Sequence, residues 1–215
     1  RLGDTSVVAV GMGRNVSAVP RQVVARQHRH CTFVCAIGGS YRGGEAMNAD
    51  QTCRRFAERF GGESVTLYAP AIVANRDTRD ALMANDTVRQ SLTRAQQADI
   101  ALVGVGDILE DSNMVRMGWF TQEEINAVRR LGVVGDIMGY DFIDMDGALA
   151  DTPLVGRVIG LTIEHLRHIP DVIATASEPT KVGGILGALR TGTIDTLATT
   201  ESIAETVLGL DQSRR

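Results

Sequence analysis

The chain has 215 residues with a formal net charge of −4, and 44% of its residues are hydrophobic. This length and composition predict one globular α/β domain, and the acidic balance argues against a dedicated nucleic-acid surface. No apolar run reaches the roughly 18 residues that a membrane span needs, and no signal peptide is visible. The three cysteines cannot all pair with one another, so the simpler expectation is a reducing cytoplasm.

The first predicted element is a buried strand that leads through a glycine turn into a helix. Val7–Val10 is a run rich in β-branched residues, typical of a strand covered on both faces. Residues 11–15 read Gly-Met-Gly-Arg-Asn, and valines then recur near helical spacing. Such a turn directs backbone N–H groups at an anion, with Arg14 as a fixed charge and Asn15 as the expected N-cap. The alternative is an ordinary turn whose glycines only permit a tight bend.

Three further predicted strands also end in glycine or polar turns. Residues 32–39 form a buried run that ends in two glycines before a polar loop at residues 40–48. Residues 98–106 end in Gly-Val-Gly, and residues 171–178 lead to Lys181. Because ligands of open α/β sheets bind beyond the carboxyl ends of the strands, the four turns together predict a pocket rich in backbone donors.

The remaining elements alternate along the chain. Residues 48–60 predict a helix ended by two glycines, and two helical patterns at residues 77–97 predict a solvated surface. Thr121 and Glu124 form a capping-box pattern. Later elements are a strand-turn-strand at 133–147, a stretch at 157–168 that begins extended, a helix at 181–192, a short strand and a final helix. This alternation predicts a mainly parallel sheet with helices on both faces and a small inserted antiparallel element.

Two charged residues are candidates for contacts with a ligand. Lys181 is the only lysine of the chain and stands at the start of a predicted helix, where a cation does not help the helix dipole. An anionic ligand explains that position better than local stability does, although a solvent-facing lysine is the alternative. Asp136 lies among apolar residues, either to cap a nearby amide in a turn or to accept hydrogen bonds from ligand hydroxyls.

The sequence predicts no catalytic residue, metal or cofactor. There is no Gly-x-Ser-x-Gly elbow, and the first glycine turn lacks the third glycine of a dinucleotide fingerprint. Asp141, Asp144 and Asp146 are close together but lack the ligand pattern of a calcium loop. His165 and His168 fall on a helical stretch and are expected to face solvent.

Several motifs in collinear order resemble one known family. They read VAVGMGRNVSAV, AIGGS, LYAPAIV, LGVVGDIMGYDFID and ATASEPTKVGGILGALRTG, and they extend over nearly the whole chain. The sequence resembles the C-terminal effector-binding domain of the SorC/DeoR-like family of bacterial sugar-responsive transcriptional regulators. The resemblance implies a Rossmann-like fold similar to that of ribose-phosphate isomerase, glucosamine-phosphate deaminase and the CoA transferases.

The resemblance also implies a phosphorylated sugar as ligand. The resemblance and the glycine turn after the third strand, which contributes Gly104 and Gly106, together give the expected ligand-binding residues. They are Gly11, Gly13, Arg14, Asn15, Gly39, Ser40, Arg42, Asn48, Gln51, Gly104, Gly106, Asp136 and Lys181. Met12 and Asn15 stand where most members have a bulky residue and a threonine. Some relatives bind an aldehyde sugar covalently through a lysine of the second loop, and the absence of a lysine there implies non-covalent binding.

The implied role is that of a non-enzymatic sensor. Residues 1–215 are expected to form a single effector-binding domain that self-associates as a dimer or tetramer. Operator DNA would be bound by a helix-turn-helix segment that precedes this domain in full-length members and is expected to be absent here. The alternative is a sugar-phosphate isomerase or deaminase of the same fold, with Asp136 as the general base.

Overall fold

The structure is a computed structural model that describes residues 2–24, 30–40, 42, 44, 47–109 and 112–213. Its strands are β1 (Val7–Val10), β2 (Thr32–Cys35), β3 (Glu63–Val65), β4 (Ile100–Asp107), β5 (Val133–Ile137), β6 (Asp141–Asp144), β7 (Asp171–Thr175) and β8 (Thr196–Ala198). Its helices are α1 (Arg14–Gln22), α2 (Ala49–Phe60), α3 (Arg76–Met83), α4 (Asp86–Gln96), α5 (Asn113–Arg116), α6 (Gln122–Arg130), α7 (Ile163–Leu166), α8 (Val182–Arg190) and α9 (Glu201–Gln212). Short 3-10 segments at Pro153–Arg157 and Pro179–Lys181 precede α7 and α8.

The core of the fold is a parallel sheet. Its strands follow the order β3-β2-β1-β4-β7-β8, and each neighbouring pair in this series is parallel. Without the β5–β6 hairpin, this is the strand order of a doubly wound, Rossmann-like sheet whose winding direction changes between β1 and β4. The predicted fold class is therefore confirmed.

The inserted antiparallel element is the β5–β6 hairpin, which attaches to the outer end of β4. Residues 100–104 of β4 pair with β7 in parallel, whereas residues 105–107 pair antiparallel with residues 135–137 of β5. One long strand thus belongs to both the core sheet and the hairpin. This pairing puts Asp136 directly opposite Gly106.

Helices cover both faces of the sheet, as predicted. Thr32 Oγ1 accepts a hydrogen bond of 2.9 Å from Arg94 of α4, whereas Phe33 stacks on Phe56 of α2 with ring centroids 5.1 Å apart. Successive side chains of a strand point to opposite faces, so α4 and α2 pack on opposite sides. Within the described ranges, no helix is long and apolar enough to cross a membrane.

The end of α2 and the start of α6 lie where the sequence predicts, but two strands end earlier than predicted. Gly61 adopts a φ of 75° and terminates α2, and Thr121 forms the predicted capping box at the start of α6. β2 stops at Cys35 instead of continuing to residue 39, because the Gly39 N–H bonds to the carbonyl of Ala69 outside the sheet ladder. β7 likewise ends at Thr175, ahead of the turn that leads to α8.

Glycines allow α8 to pack closely against the hairpin. A Cβ at Gly135 would lie 2.5 Å from the Cα of Gly184 in α8, and a Cβ at Gly184 would lie 2.6 Å from the Gly106 carbonyl oxygen. Any side chain at these positions would therefore push the helix away from β4 and β5. This close packing brings Lys181, immediately before α8, to the side of Asp136.

Candidate ligand-binding cleft

A cleft opens at the carboxyl ends of β1 and β4. It is lined by residues 12–16 after β1, residues 104–107 of β4, parts of α5 and of the turn after β5, and Lys181. The winding of the sheet changes direction between these two strands, and open α/β sheets bind ligands at that position. A larger hollow on the sheet face near α1 and α2 is lined, among the described residues, by apolar side chains and one threonine.

The N-terminus of α1 faces this cleft without a side-chain cap. Gly13 is the N-cap residue, with a φ of 122° that favours glycine, and within the described residues no side chain accepts a hydrogen bond from a backbone N–H of the first turn. The prediction that Asn15 caps the helix is wrong, because Asn15 lies inside the first turn and its side chain bonds to residues of the β7–α8 turn. The uncapped N–H groups and the helix dipole favour an anion at this point.

Glu178, in the turn between β7 and α8, joins the charged residues at the edge of the cleft. Its carboxylate accepts hydrogen bonds from Lys181 Nζ at 2.8 Å, Asn15 Nδ2 at 2.9 Å and an Arg14 guanidinium nitrogen at 3.2 Å. Burial would raise the pKa of Glu178, but the hydrogen bond and charge of Lys181 outweigh it and lower that pKa to about 2. Ser177 Oγ donates to Asn15 Oδ1 at 2.7 Å and completes the network.

Asp136 is buried at the inner end of the cleft. One carboxylate oxygen, Oδ1, accepts a hydrogen bond from the Gly139 N–H, and within the described residues Oδ2 has no partner. A Cβ at Gly106 would overlap this carboxylate, so only glycine fits opposite it. Burial raises the pKa of Asp136 to about 7, although the Gly139 hydrogen bond and the charge of Lys181 act against the increase. Asp136 therefore caps a turn and also presents an open acceptor.

Methionines form the apolar wall of the cleft. Five of the seven methionines of the chain line it, all at most 9% exposed: Met12, Met47, Met114, Met117 and Met138. Unbranched thioether side chains repack easily, so this wall can adapt to the shape of a ligand. The sequence did not predict this wall, and the one signal for it is the presence of Met12 and Met138 beside glycines in two of the turns.

Seven of the thirteen predicted ligand-binding residues line the cleft. They come from the turn after β1, the outer half of β4, the hairpin and the start of α8: Gly13, Arg14, Asn15, Gly104, Gly106, Asp136 and Lys181. These residues are distant in the sequence and are brought together by the strand order. Their role in binding stays a prediction.

The other six do not line the cleft: Gly11, Gly39, Ser40, Arg42, Asn48 and Gln51. Gly11 continues the sheet, since its N–H bonds to the Leu102 carbonyl at 2.8 Å. Asn48 caps α2 by accepting a hydrogen bond from the Asp50 N–H, as helix N-caps do.

The second predicted loop lies next to the cleft, behind its methionine wall. Ser40 Oγ accepts a hydrogen bond from Trp119 Nε1 at 3.3 Å and lies 3.9 Å from the sulfur of Met117. The guanidinium of Arg42 lies against Gly118. These residues contact the segment after α5, so they can affect a ligand through Met117 rather than by direct contact.

Other predicted acids and histidines have separate roles. Asp141 Oδ2 accepts a hydrogen bond of 2.6 Å from the Ile163 N–H, and burial raises the pKa of Asp141 to about 7. Asp144 accepts hydrogen bonds within its own turn. His165 is half-buried and its Nδ1 lies 3.0 Å from the Thr162 N–H, so the expectation that it faces solvent is wrong, whereas His168 is exposed.

The chemistry of the cleft suits a small polar ligand with an anionic group. Arg14, Lys181 and the backbone N–H groups at the start of α1 are donors suited to an anion, and Asp136 Oδ2, which has no partner within the described residues, is an acceptor suited to a hydroxyl group. The fold and the cleft thus define an α/β domain with a concave, partly polar cleft at the switch point of its sheet, which is the kind of place where such domains bind small ligands.

Comparison with known proteins supplies the family. The family model Sugar-bind, described as "Putative sugar-binding domain", matches residues 1–209. The chain belongs to this family of sugar-binding domains of SorC/DeoR-type transcriptional regulators. It is 27% identical over 207 residues to the erythritol catabolism regulatory protein EryD of Brucella abortus. That match covers 96% of this chain and 65% of EryD, so the chain spans less than two thirds of that relative's length.

Two solved structures show the same domain. The sugar-binding domain of a transcriptional repressor from Vibrio fischeri is 48% identical with a TM-score of 0.90, over 99% of this chain and 83% of that one. The full-length sorbitol operon regulator SorC of Klebsiella pneumoniae is 27% identical with a TM-score of 0.87, over 96% of this chain and 68% of SorC. The predicted family and Rossmann-like fold are confirmed.

Proposed function

We propose that the cleft binds a phosphorylated sugar and that this binding is the sensing step of a transcriptional regulator. The observation that carries the proposal is the position of two cations, an uncapped helix start and an open carboxylate oxygen around one cleft. A sugar phosphate has an anionic group at one end and hydroxyl groups along the rest of the molecule, and the cleft is complementary to both.

The phosphate would bind at the first turn of α1. Backbone N–H groups at an uncapped helix start favour an anion, and Arg14 and Lys181 lie on either side of this position. Charge-assisted hydrogen bonds to phosphate are roughly twice as strong as those between neutral groups. The phosphate would therefore contribute much of the affinity.

The sugar hydroxyls would bind at the inner end, where Asp136 Oδ2 has no partner within the described residues. A buried acceptor without a partner lowers stability, so a hydroxyl donor that reaches it contributes more than a hydrogen bond at the surface would. The methionine wall would contact the carbon face of the sugar. Lys181 is paired with Glu178, in keeping with non-covalent binding.

In this proposal, effector binding changes the self-association of a dimer or tetramer and thereby the affinity for DNA. A ligand shifts such an equilibrium only if it binds one arrangement more tightly than the other. The contact with operator DNA would belong to a helix-turn-helix segment outside this sequence. The relatives are named as regulators, which supports a non-enzymatic role in the cytoplasm.

A sugar-phosphate isomerase or deaminase is the second candidate, because Asp136 has an open oxygen and its pKa is raised to about 7, as suits a general base. Turnover separates the two functions. The protein is incubated with ribose 5-phosphate, fructose 6-phosphate and glucosamine 6-phosphate, and NMR follows each substrate. Conversion that is lost in Asp136→Asn would establish the enzyme instead of the sensor.

A thermal-shift screen tests the sensor. Sugar phosphates are compared with their unphosphorylated parent sugars, and a ligand that binds only the folded state raises the melting temperature with its concentration. At least one sugar phosphate is expected to stabilise the protein while its parent sugar does not. Equal shifts for both members of every pair would exclude the proposed phosphate site.

A further inference from the structure

The anion-binding residues of the cleft already have an anionic partner within the chain. Glu178 accepts hydrogen bonds from Lys181, Arg14 and Asn15. These three residues line the cleft and are the side chains available to a phosphate at the start of α1. The Lys181 side chain is only 11% exposed, so few directions remain from which another anion can approach its ammonium group.

We propose that Glu178 is a built-in competitor for the anionic group of the effector. A phosphate binds by taking the hydrogen bonds of Lys181 and Arg14 from the Glu178 carboxylate, which then turns toward solvent. This inference rests on the proposed function, and it adds the residue that determines selectivity for charge. A neutral sugar cannot replace a carboxylate between two cations, whereas a dianion can, so Glu178 excludes unphosphorylated sugars from the anion-binding end.

The surroundings of Glu178 permit such an exchange. Its side chain is 26% exposed, so the carboxylate can reach water once its partners are engaged elsewhere. It lies in the turn that joins β7 to α8, next to the short 3-10 segment Pro179–Lys181. Glu178 also links this turn to α1 through Arg14 and Asn15. Its release would therefore alter the contact between α1 and the β7–α8 turn, which is a local change that a regulator can transmit.

Asp107 provides a matched comparison inside the same cleft. It carries the same charge as Glu178, but its carboxylate accepts hydrogen bonds from the Thr180 hydroxyl at 2.7 Å and the Leu109 amide at 3.4 Å. Neither partner is a cation. Removing the charge of Asp107 changes the overall potential of the cleft without freeing Lys181 or Arg14, and this separates direct competition from general electrostatics.

The test uses inorganic phosphate as the probe and measures its affinity by calorimetry for the wild type, Glu178→Gln and Asp107→Asn. Glu178→Gln is expected to bind phosphate about tenfold or more tightly than the wild type, because phosphate no longer has to displace a carboxylate from Lys181 and Arg14. Asp107→Asn is expected to gain less than about threefold. In the background of Lys181→Ala, the gain from Glu178→Gln should largely disappear.

Stability provides a readout that distinguishes competition from a structural role. Without phosphate, Glu178→Gln is expected to have a lower melting temperature than the wild type, because Lys181 loses its partner. Phosphate should raise the melting temperature of the variant and so remove this difference. Lower stability together with tighter binding supports competition. If both stability and phosphate affinity fall, Glu178 is a structural residue and the proposal is overturned.

Further outcomes of the affinity measurements decide whether Glu178 competes with phosphate. A phosphate affinity of Glu178→Gln equal to that of the wild type, undetectable binding to both, or an equal gain in Asp107→Asn overturns the proposal. If Glu178→Gln does not fold, Glu178→Asp replaces it, and its shorter carboxylate should give a smaller gain in the same direction. If Glu178→Gln gains affinity for phosphate but no sugar phosphate binds more tightly than phosphate itself, the competition stands and the sugar-phosphate function fails.

Discussion

The turn between β7 and α8 and the hairpin β5–β6 each bring a carboxylate to the cleft, in contrasting surroundings. Glu178 is partly exposed and contacts two cations, and the hydrogen bond and charge of Lys181 overcome the effect of burial and lower its pKa to about 2. Asp136 is 1% exposed and contacts no cation directly within the described residues, and burial raises its pKa to about 7. One acid is always ionised near neutral pH, and the other titrates there.

The difference shows how the environment assigns roles to two chemically similar groups. A carboxylate between cations stays negative and can only compete with another anion or accept hydrogen bonds. A buried carboxylate with an open oxygen gains or loses a proton easily near pH 7, so it can donate or accept a hydrogen bond. The predictions below change one member of this contrast at a time, beginning with the largest effect.

Asp136→Asn is expected to change the stability of the protein strongly. Because the pKa of Asp136 in the folded protein, about 7, lies above its ordinary value of 3.8, ionisation destabilises the fold. The stabilising contribution of the protonated form is complete below pH ~4, is lost as pH rises to about 7, and stays absent above it. At pH 8 the variant should therefore be more stable than the wild type by up to about 4 kcal/mol in urea unfolding.

Asp141→Asn is the control for that measurement. Asp141 also has a pKa raised to about 7 by burial, but it caps α7 and does not line the cleft. It should show a similar gain in stability at pH 8 without a loss of ligand affinity, whereas Asp136→Asn should lose affinity for the sugar. If the stability of Asp136→Asn follows the same pH dependence as that of the wild type, Asp136 does not titrate near pH 7.

Gly106→Ala tests the cross-strand position that keeps the Asp136 carboxylate in place. The new methyl group would overlap that carboxylate, so the variant should lose about 1 to 3 kcal/mol of stability, as overpacked interiors do. Gly209→Ala in α9 is the control, since a Cβ added at Gly209 would have no atom of the described residues within 4 Å. This variant should gain about 0.5 to 1 kcal/mol of stability. A neutral effect of Gly106→Ala in chemical unfolding would mean that Asp136 can move away freely.

Lys181→Ala and Arg14→Gln compare the two cations that contact Glu178. The side chain of Lys181 is 11% exposed and that of Arg14 is 56% exposed. Lys181→Ala should therefore cost about 1 to 2 kcal/mol of stability and Arg14→Gln less than about 0.5 kcal/mol. Affinity for a sugar phosphate should fall about 100-fold in Lys181→Ala, which corresponds to about 2.8 kcal/mol and exceeds the loss of stability. Equal losses of affinity and stability in thermal-shift titrations would make Lys181 a structural residue.

Much of the fold could be predicted because its signals are local. The valine run of β1, the terminating Gly61 and the capping box of Thr121 and Glu124 each depend on residues a few positions apart. The alternation of strands and helices then restricts the topology, because crossover connections between parallel strands have one handedness. The binding of ligands at strand ends predicted that four turns would meet. The turns after β1 and β4 and Lys181 after β7 line one cleft, whereas the turn after β2 lies behind its methionine wall.

The parts of the site that escaped prediction depend on contacts between distant residues. Asn15 has the right chemistry for an N-cap, yet it bonds to Ser177 and Glu178, 162 and 163 positions away. Met114 and Met117 reach the cleft from α5 through the packing of a segment with no distinctive pattern. Asn48 looks like a ligand contact from the resemblance, but the structure uses it to cap α2.

The sequence by itself determined the alternating elements, because periodicity and turn chemistry depend on neighbouring residues. Its collinear motifs indicated the family and thereby predicted that Arg14, Asp136 and Lys181 lie together, as they do in one cleft. Only the tertiary structure decided that Glu178 lies between the two cations and that Asp136 is buried opposite a glycine. Both depend on which segments the sheet brings together, because the contacts of Arg14 and Asn15 with Glu178 come from α1 and the pKa of each acid depends on the burial and the charges around it.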